Sequence, residues 1–121
     1  MFRKALYVQV SEDSINVRNI DTGKSFQRRA NPSFSHSRML VGNFTAADAC
    51  LKSLLSEAKG SGFVLGIDVL IHPLEKIEGG LSQVEERLFQ ELARGAGATK
   101  AVVWVGRHLS DSEVLAKLKG K

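Results

Sequence analysis

Apolar and polar residues alternate from the first strand-like stretch onward. In Ala5–Val10 (ALYVQV), Leu6, Val8 and Val10 fall on one face, the mark of a half-buried strand. Ser11-Glu12-Asp13-Ser14 is a polar turn, and Ile15–Ile20 (INVRNI) alternates again. Asp21-Thr22-Gly23-Lys24 supplies a second turn, with a glycine for positive φ. Ser25–Arg29 reads as a third strand, so the chain opens as an antiparallel meander. Asn31–Ser37 has the composition of a loop, and Met39-Leu40-Val41 reads as a short extended piece.

The period then lengthens. Thr45 is the expected N-cap of a helix, with Asp48 three residues on. Ala47, Leu51, Leu54, Leu55 and Ala58 recur at helical spacing until Gly60 and Gly62 stop it. Phe63–Ile71 (FVLGIDVLI) is almost continuously apolar, as a central strand buried on both faces requires, and Pro73 ends it. Gly79-Gly80 breaks the chain before Ser82, which stands three residues ahead of Glu85 as a capping box. Val84, Leu88, Leu92 and Ala93 form the expected apolar stripe of that helix, with Gly95 and Gly97 as its caps. Ala101–Val105 (AVVWV) reads as a second buried strand with Trp104 in the core, and Ser110-Asp111-Ser112-Glu113 opens a last helix through Leu118. The order βββαβαβα predicts an α/β fold, a mixed five-stranded sheet with helices packed on it, in a single domain over residues 1–121.

Composition narrows the class. A hydrophobic fraction of 43% and a charged fraction of 25% over 121 residues are ordinary for a globular domain able to build its own core. Cys50 is the one cysteine, so no intrachain disulfide forms. No apolar run approaches the about 20 residues of a membrane span. Met1-Phe2-Arg3-Lys4 leads straight into a strand without the apolar region of a signal peptide, and the expected compartment is the cytoplasm. The formal charge of +4 gathers in Arg28, Arg29 and Arg38 and in the tail of Lys117, Lys119 and Lys121, which leaves nucleic acid open as a partner.

Two stretches carry a family resemblance. Asn43-Phe44-Thr45-Ala46-Ala47-Asp48 through Leu51 resembles the "ADFT" helix start of MreB, the rod-shape-determining bacterial actin. Ser82-Gln83-Val84-Glu85-Glu86-Arg87, running on to Ala93-Arg94-Gly95-Ala96-Gly97-Ala98, resembles that family's "TQVERRA…AQGAGA" helix and exit, and Ile67–Pro73 occupies the place of its "VCVP" strand. The similarity spans Val41 to Val105 and implies one ribonuclease-H-like subdomain of the kind found in actins and sugar kinases. The departures bear on activity. Where the family has its phosphate-binding Asp-x-Gly-Thr hairpin, this chain has Gln9-Val10-Ser11-Glu12, and where it has "EEP" this chain has Gly106-Arg107-His108. The inserted small subdomain is reduced to Asn31–Gly42, and the second nucleotide-gripping domain is absent. Loss of nucleotide chemistry is the implied consequence.

Individual residues support the same reading. His72 at a strand end lacks a second histidine or cysteine at ligand spacing, and Asp68 lacks a second acid to form a nuclease-like pair. Cys50 beside the apolar stripe reads as a buried, inert thiol. No catalytic, cofactor-binding or metal-binding residue is assigned, and no cofactor is expected. The surface candidate is a partner-binding patch of Arg28, Arg29, Phe34, His36 and Arg38, basic residues interleaved with aromatics. The leading expectation is therefore a non-enzymatic module that binds a protein, with a cytoskeletal or cell-shape partner implied by the resemblance. A small nucleic-acid-binding protein and a residual ATPase or hydrolase around Asp68 and His72 are the alternatives.

Overall fold

The computed structural model describes residues 3–35, 38–60, 62 and 64–119. Its elements are β1 (Arg3–Ser11), β2 (Ser14–Asn19), β3 (Ser25–Arg29), α1 (Phe44–Lys59), β4 (Gly66–Pro73), α2 (Gln83–Gly95), β5 (Lys100–Val103) and α3 (Asp111–Leu118). They build one five-stranded mixed sheet in the order β3-β2-β1-β4-β5. β1 pairs antiparallel with β2 and parallel with β4, β2 pairs antiparallel with β3, and β4 pairs parallel with β5. The expected element order and mixed sheet are both present.

Strand alternation sorts the interior into two cores. Leu6, Val8 and Val10 of β1 join Ile67, Val69 and Ile71 of β4 beneath α1 and α2. Ala5 and Tyr7 of β1 join Leu70 of β4 beneath α3, which contributes Val114 and Leu118. Arg18 clamps the smaller layer by placing Nε and Nη2 at 2.9 and 3.0 Å from the two carboxylate oxygens of Asp111. Both capping boxes form: Ser82 with Glu85 opens α2, and Ser110 with Glu113 opens α3. Among the described residues, no helix is long and apolar enough to cross a membrane.

Several local expectations are corrected. Asn43, not Thr45, caps α1, because its backbone is extended and its Oδ1 accepts the Ala46 N–H at 3.1 Å. β4 begins at Gly66, since Leu65 is 64% exposed, and Phe63 lies outside the described residues. Met39-Leu40-Val41 forms no strand, although Leu40 and Val41 are buried. The buried stripe of α2 is Phe89, Leu92 and Ala93, which rotates Val84 into solvent, and Ala96 rather than a glycine is the C-cap. β5 is a half-buried edge strand that stops at Val103. Trp104 is only partly buried; its Nε1 donates to the Arg107 carbonyl at 2.8 Å and Lys117 Nζ sits 4.1 Å from its ring centre.

The largest correction concerns Phe34, which is 0% exposed and belongs to the larger core rather than to a surface patch. Asp13 is the cause. It adopts φ 54° in the β1–β2 turn, where a short polar side chain tolerates left-handed geometry. Its Oδ1 accepts the Phe34 and Ser35 N–H groups at 2.9 and 2.7 Å, while its carbonyl accepts the Ala30 N–H at 2.9 Å. The Ser35 and Phe34 amides hold the Asp13 carboxyl below the usual carboxylate range. The Phe34 carbonyl in turn accepts from the Gly42 and Asn43 N–H groups, tying it to the start of α1. Truncating Phe34→Ala is expected to cost about 3–5 kcal/mol in urea unfolding. A solvent-exposed ring would give less than about 0.5 kcal/mol.

Candidate functional site

Two regions hold the residues with chemistry. The first is the sheet face above α3, at the carboxyl ends of β1 and β4, where ligands of open α/β sheets often sit. Register pairs Gln9 with His72 and Tyr7 with Leu70, so Tyr7, Gln9 and His72 share this face. His72 is 1% exposed and both ring nitrogens are engaged, Nδ1 with the Tyr7 hydroxyl at 2.8 Å and Nε2 with the Gly106 carbonyl at 3.0 Å. A carbonyl only accepts, so Nε2 carries the proton and the neutral ring accepts the Tyr7 O–H at Nδ1. The Tyr7 oxygen also accepts the Leu109 N–H at 3.2 Å.

The polar chain extends outward. Gln9 donates from Nε2 to His108 Nδ1 at 2.8 Å and accepts from Asn16 Nδ2 at 3.3 Å. The Tyr7 ring lies between the two histidines, stacked at 5.9 Å from His72 and tilted at 5.6 Å from His108. Burial is the main force lowering the pKa of His72, with His108 adding to it against the opposing pull of the Gly106 carbonyl. Burial likewise raises the Tyr7 hydroxyl. Asp68 lies on the same face but nearer the other strand end, where it forms an ion pair with Arg3. Among the described residues no group of three or more His, Cys, Asp or Glu is placed to hold a metal ion.

The second region is the outer edge of the sheet at β3. Arg28 and Arg29 are adjacent in the strand, so they point to opposite faces. Arg28 reaches α1, with Nη2 at 2.9 Å from Glu57 Oε1 and Nη1 on the Ser53 hydroxyl. Arg29 stays exposed on the other face. Beside the strand runs a groove of about 280 Å³ lined by Arg28, Arg29, Ala46, Ala49, Cys50 and Ser53. Cys50 is 7% exposed and burial raises its thiol pKa, in keeping with an inert thiol. Of the expected patch, Arg28 and Arg29 line this groove, Phe34 is core, Arg38 is exposed in the following loop, and His36 lies outside the described residues.

Ion pairs divide the basic excess. Arg3, Arg18, Arg28 and Arg107 pair with Asp68, Asp111, Glu57 and Glu113, so each of these four basic side chains is offset by an adjacent acid, two of them at the first turn of α3. Sequence reasoning missed Tyr7, Gln9 and Asn16, whose signal is their parity with His72 once the register of β1, β2 and β4 is known.

No protein-family model matches this chain. The Escherichia coli (strain K12) protein YjaA, described as uncharacterized, is 34% identical to it over 126 aligned residues, with 96% of this chain and 98% of that protein covered.

The buried neutral His72 makes stability depend on pH with a definite sign. Its native pKa lies below the ordinary 6.5, so in acid the unfolded chain binds a proton that the native chain refuses. Stability is expected to fall as pH drops below about 6.5, and the loss to level off once the native ring also protonates. Melting curves of the wild type and His72→Gln between about pH 7 and about pH 5 check this, with a flatter profile expected for the variant. Tyr7→Phe leaves the Leu109 N–H and His72 Nδ1 unpaired and is expected to cost about 1–3 kcal/mol.

Proposed function

Since the chain belongs to the same family as YjaA of Escherichia coli, we propose that it is a non-enzymatic protein-interaction module that receives its partner at the β3 edge. The name of that relative carries no activity, so the reading rests on geometry. The observation that carries it is the open side of β3. Asn19 N–H bonds to the Lys24 carbonyl and Ala30 N–H to the Asp13 carbonyl, both at the ends of the β2–β3 ladder. Antiparallel alternation from these anchors turns the backbone groups of Phe26 and Arg28 toward β2 and those of Gln27 and Arg29 outward. An outward row of N–H and C=O groups beside a groove is a template for an extended segment of another chain. Arg29 and the rim of Arg28 favour a segment with carboxylates.

The absence of catalysis is part of the proposal. Its support is the closure of the strand ends on themselves: His72 spends both nitrogens on Tyr7 and Gly106, and Gln9 and Ser11 stand where an actin-like hairpin needs an acid and a glycine. The ribonuclease-H-like reading is supported by the order β3-β2-β1-β4-β5 with β2 alone antiparallel to both its neighbours. An MreB-like origin, a cytoskeletal partner and a cytoplasmic setting remain parts of this proposal, resting on the Val41–Val105 resemblance and the single buried thiol.

A photo-crosslinking amino acid placed at Gln27 or at Ser53 in the full chain, inside cells, tests the edge directly. Each is expected to give a discrete protein adduct that weakens with Arg29→Glu, while the same probe at Leu115 on α3 gives none. Adducts no stronger at Gln27 and Ser53 than at Leu115 would remove the β3 edge as the docking site.

A further inference from the structure

α2 presents a different surface, away from the β3 groove. Val84 is 77% exposed and Phe44, in the first turn of α1, is 40% exposed. With Leu88 they line a shallow apolar depression whose rim is Arg87 and Glu91. The core stripe of α2 is Phe89, Leu92 and Ala93, so Val84 contributes little to the chain's own packing. A β-branched residue in a solvated helical position gains neither propensity nor burial. Covering it recovers that apolar area.

The rim charges identify what covers it. Arg87 and Glu91 are opposite charges one turn apart, 3.4 Å from each other with 80% and 62% of their side chains exposed. An exposed pair of this kind contributes little within its own helix. A two-fold contact uses the same patch on both copies, so each residue i meets residue j and the reverse. Laying α2 antiparallel on the α2 of a second copy, with the axis midway between Arg87 and Glu91, brings each arginine to the other copy's glutamate. Leu88 then lies near the axis, and Val84, further out along the helix, is covered by the aliphatic stem of Arg94 from the other copy. A parallel arrangement would set arginine against arginine, so the surface is self-complementary in one orientation only. We infer that a second copy of this chain docks on the Phe44–Val84–Leu88 depression through an antiparallel α2–α2 contact, with two Arg87–Glu91 pairs crossing the two-fold axis. The patch is small, so the dimer is weak and reversible. It is independent of the β3 edge and survives if that reading fails.

Sedimentation velocity of the full chain from micromolar to high micromolar concentration is the test. The wild type is expected to shift from monomer to dimer. Arg87→Glu and Glu91→Arg should each weaken association about tenfold or more, by setting like charges across the axis. An equimolar mixture of the two variants should associate as tightly as the wild type, because a copy with two acids on its rim then faces a copy with two bases. The intrahelical pair stays broken in both variants, so repaired folding cannot explain such a rescue. Val84→Arg, checked for native helicity by circular dichroism, should also weaken the dimer, because it sets a like charge against Arg94 of the other copy. A wild type that stays monomeric, a dimer that no rim substitution weakens, or a mixture that fails to restore association would each overturn the inference.

Discussion

The fold depends on β1, a strand paired along both edges and buried on both faces. The tight Ser11–Ser14 turn delivers β2 antiparallel to one edge, and the crossover through α1 delivers β4 parallel to the other. Its alternation therefore feeds two cores at once, Leu6, Val8 and Val10 on one side and Ala5 and Tyr7 on the other. α3 has only two turns and covers only the lower part of the second face. Beyond Tyr7 the inward positions of that face turn polar, Gln9 on β1 and Asn16 on β2, and they bond to one another rather than to a helix above them.

That transition explains the polar groups gathered at Tyr7, His72, Gln9 and His108. A tyrosine buried at the boundary must satisfy its hydroxyl, and His72 on the neighbouring strand is the acceptor at the right height. The arrangement fixes one tautomer of His72, keeps the ring neutral and ties the strand ends to the loop before α3 through Gly106 and Leu109. Tyr7, His72 and Gln9 thereby make their hydrogen bonds within the sheet and the loop that follows β5. Among the described residues, two peripheral surfaces offer interactions to a partner: the outer edge of β3, with its outward backbone groups, and the flank of α2, with its exposed Val84. The proposed binding roles follow from where interactions remain to be made.

Much of this was legible in the chain. The alternation of Ala5–Val10 and Ile15–Ile20, the turn glycine at 23 and the two Ser-x-x-Glu boxes are local signals, and each marks the element it predicts. What escaped was set by distant contacts. Phe34 looked like a loop aromatic because the carboxylate that draws its loop inward, Asp13, lies 21 residues earlier. Val84 and Phe89 are both apolar, and only the packing of α2 on the sheet decides which is buried. Arg28 and Arg29 read as one patch in sequence, yet a strand sends them to opposite faces. Tyr7 and His72 meet across 65 residues through a register that no local pattern encodes.

The most direct measurement is the amide NMR spectrum of isotope-labelled protein titrated with magnesium-ATP, since the proposed absence of catalysis rests on strand ends that are closed on themselves. With His72 and Gln9 already engaged, the resonances of Gln9–Ser14, His72–Leu74 and Gly106–Leu109 should stay in place at millimolar nucleotide. Saturable shifts confined to those segments would contradict the claim and return a working nucleotide pocket to the centre of this sheet.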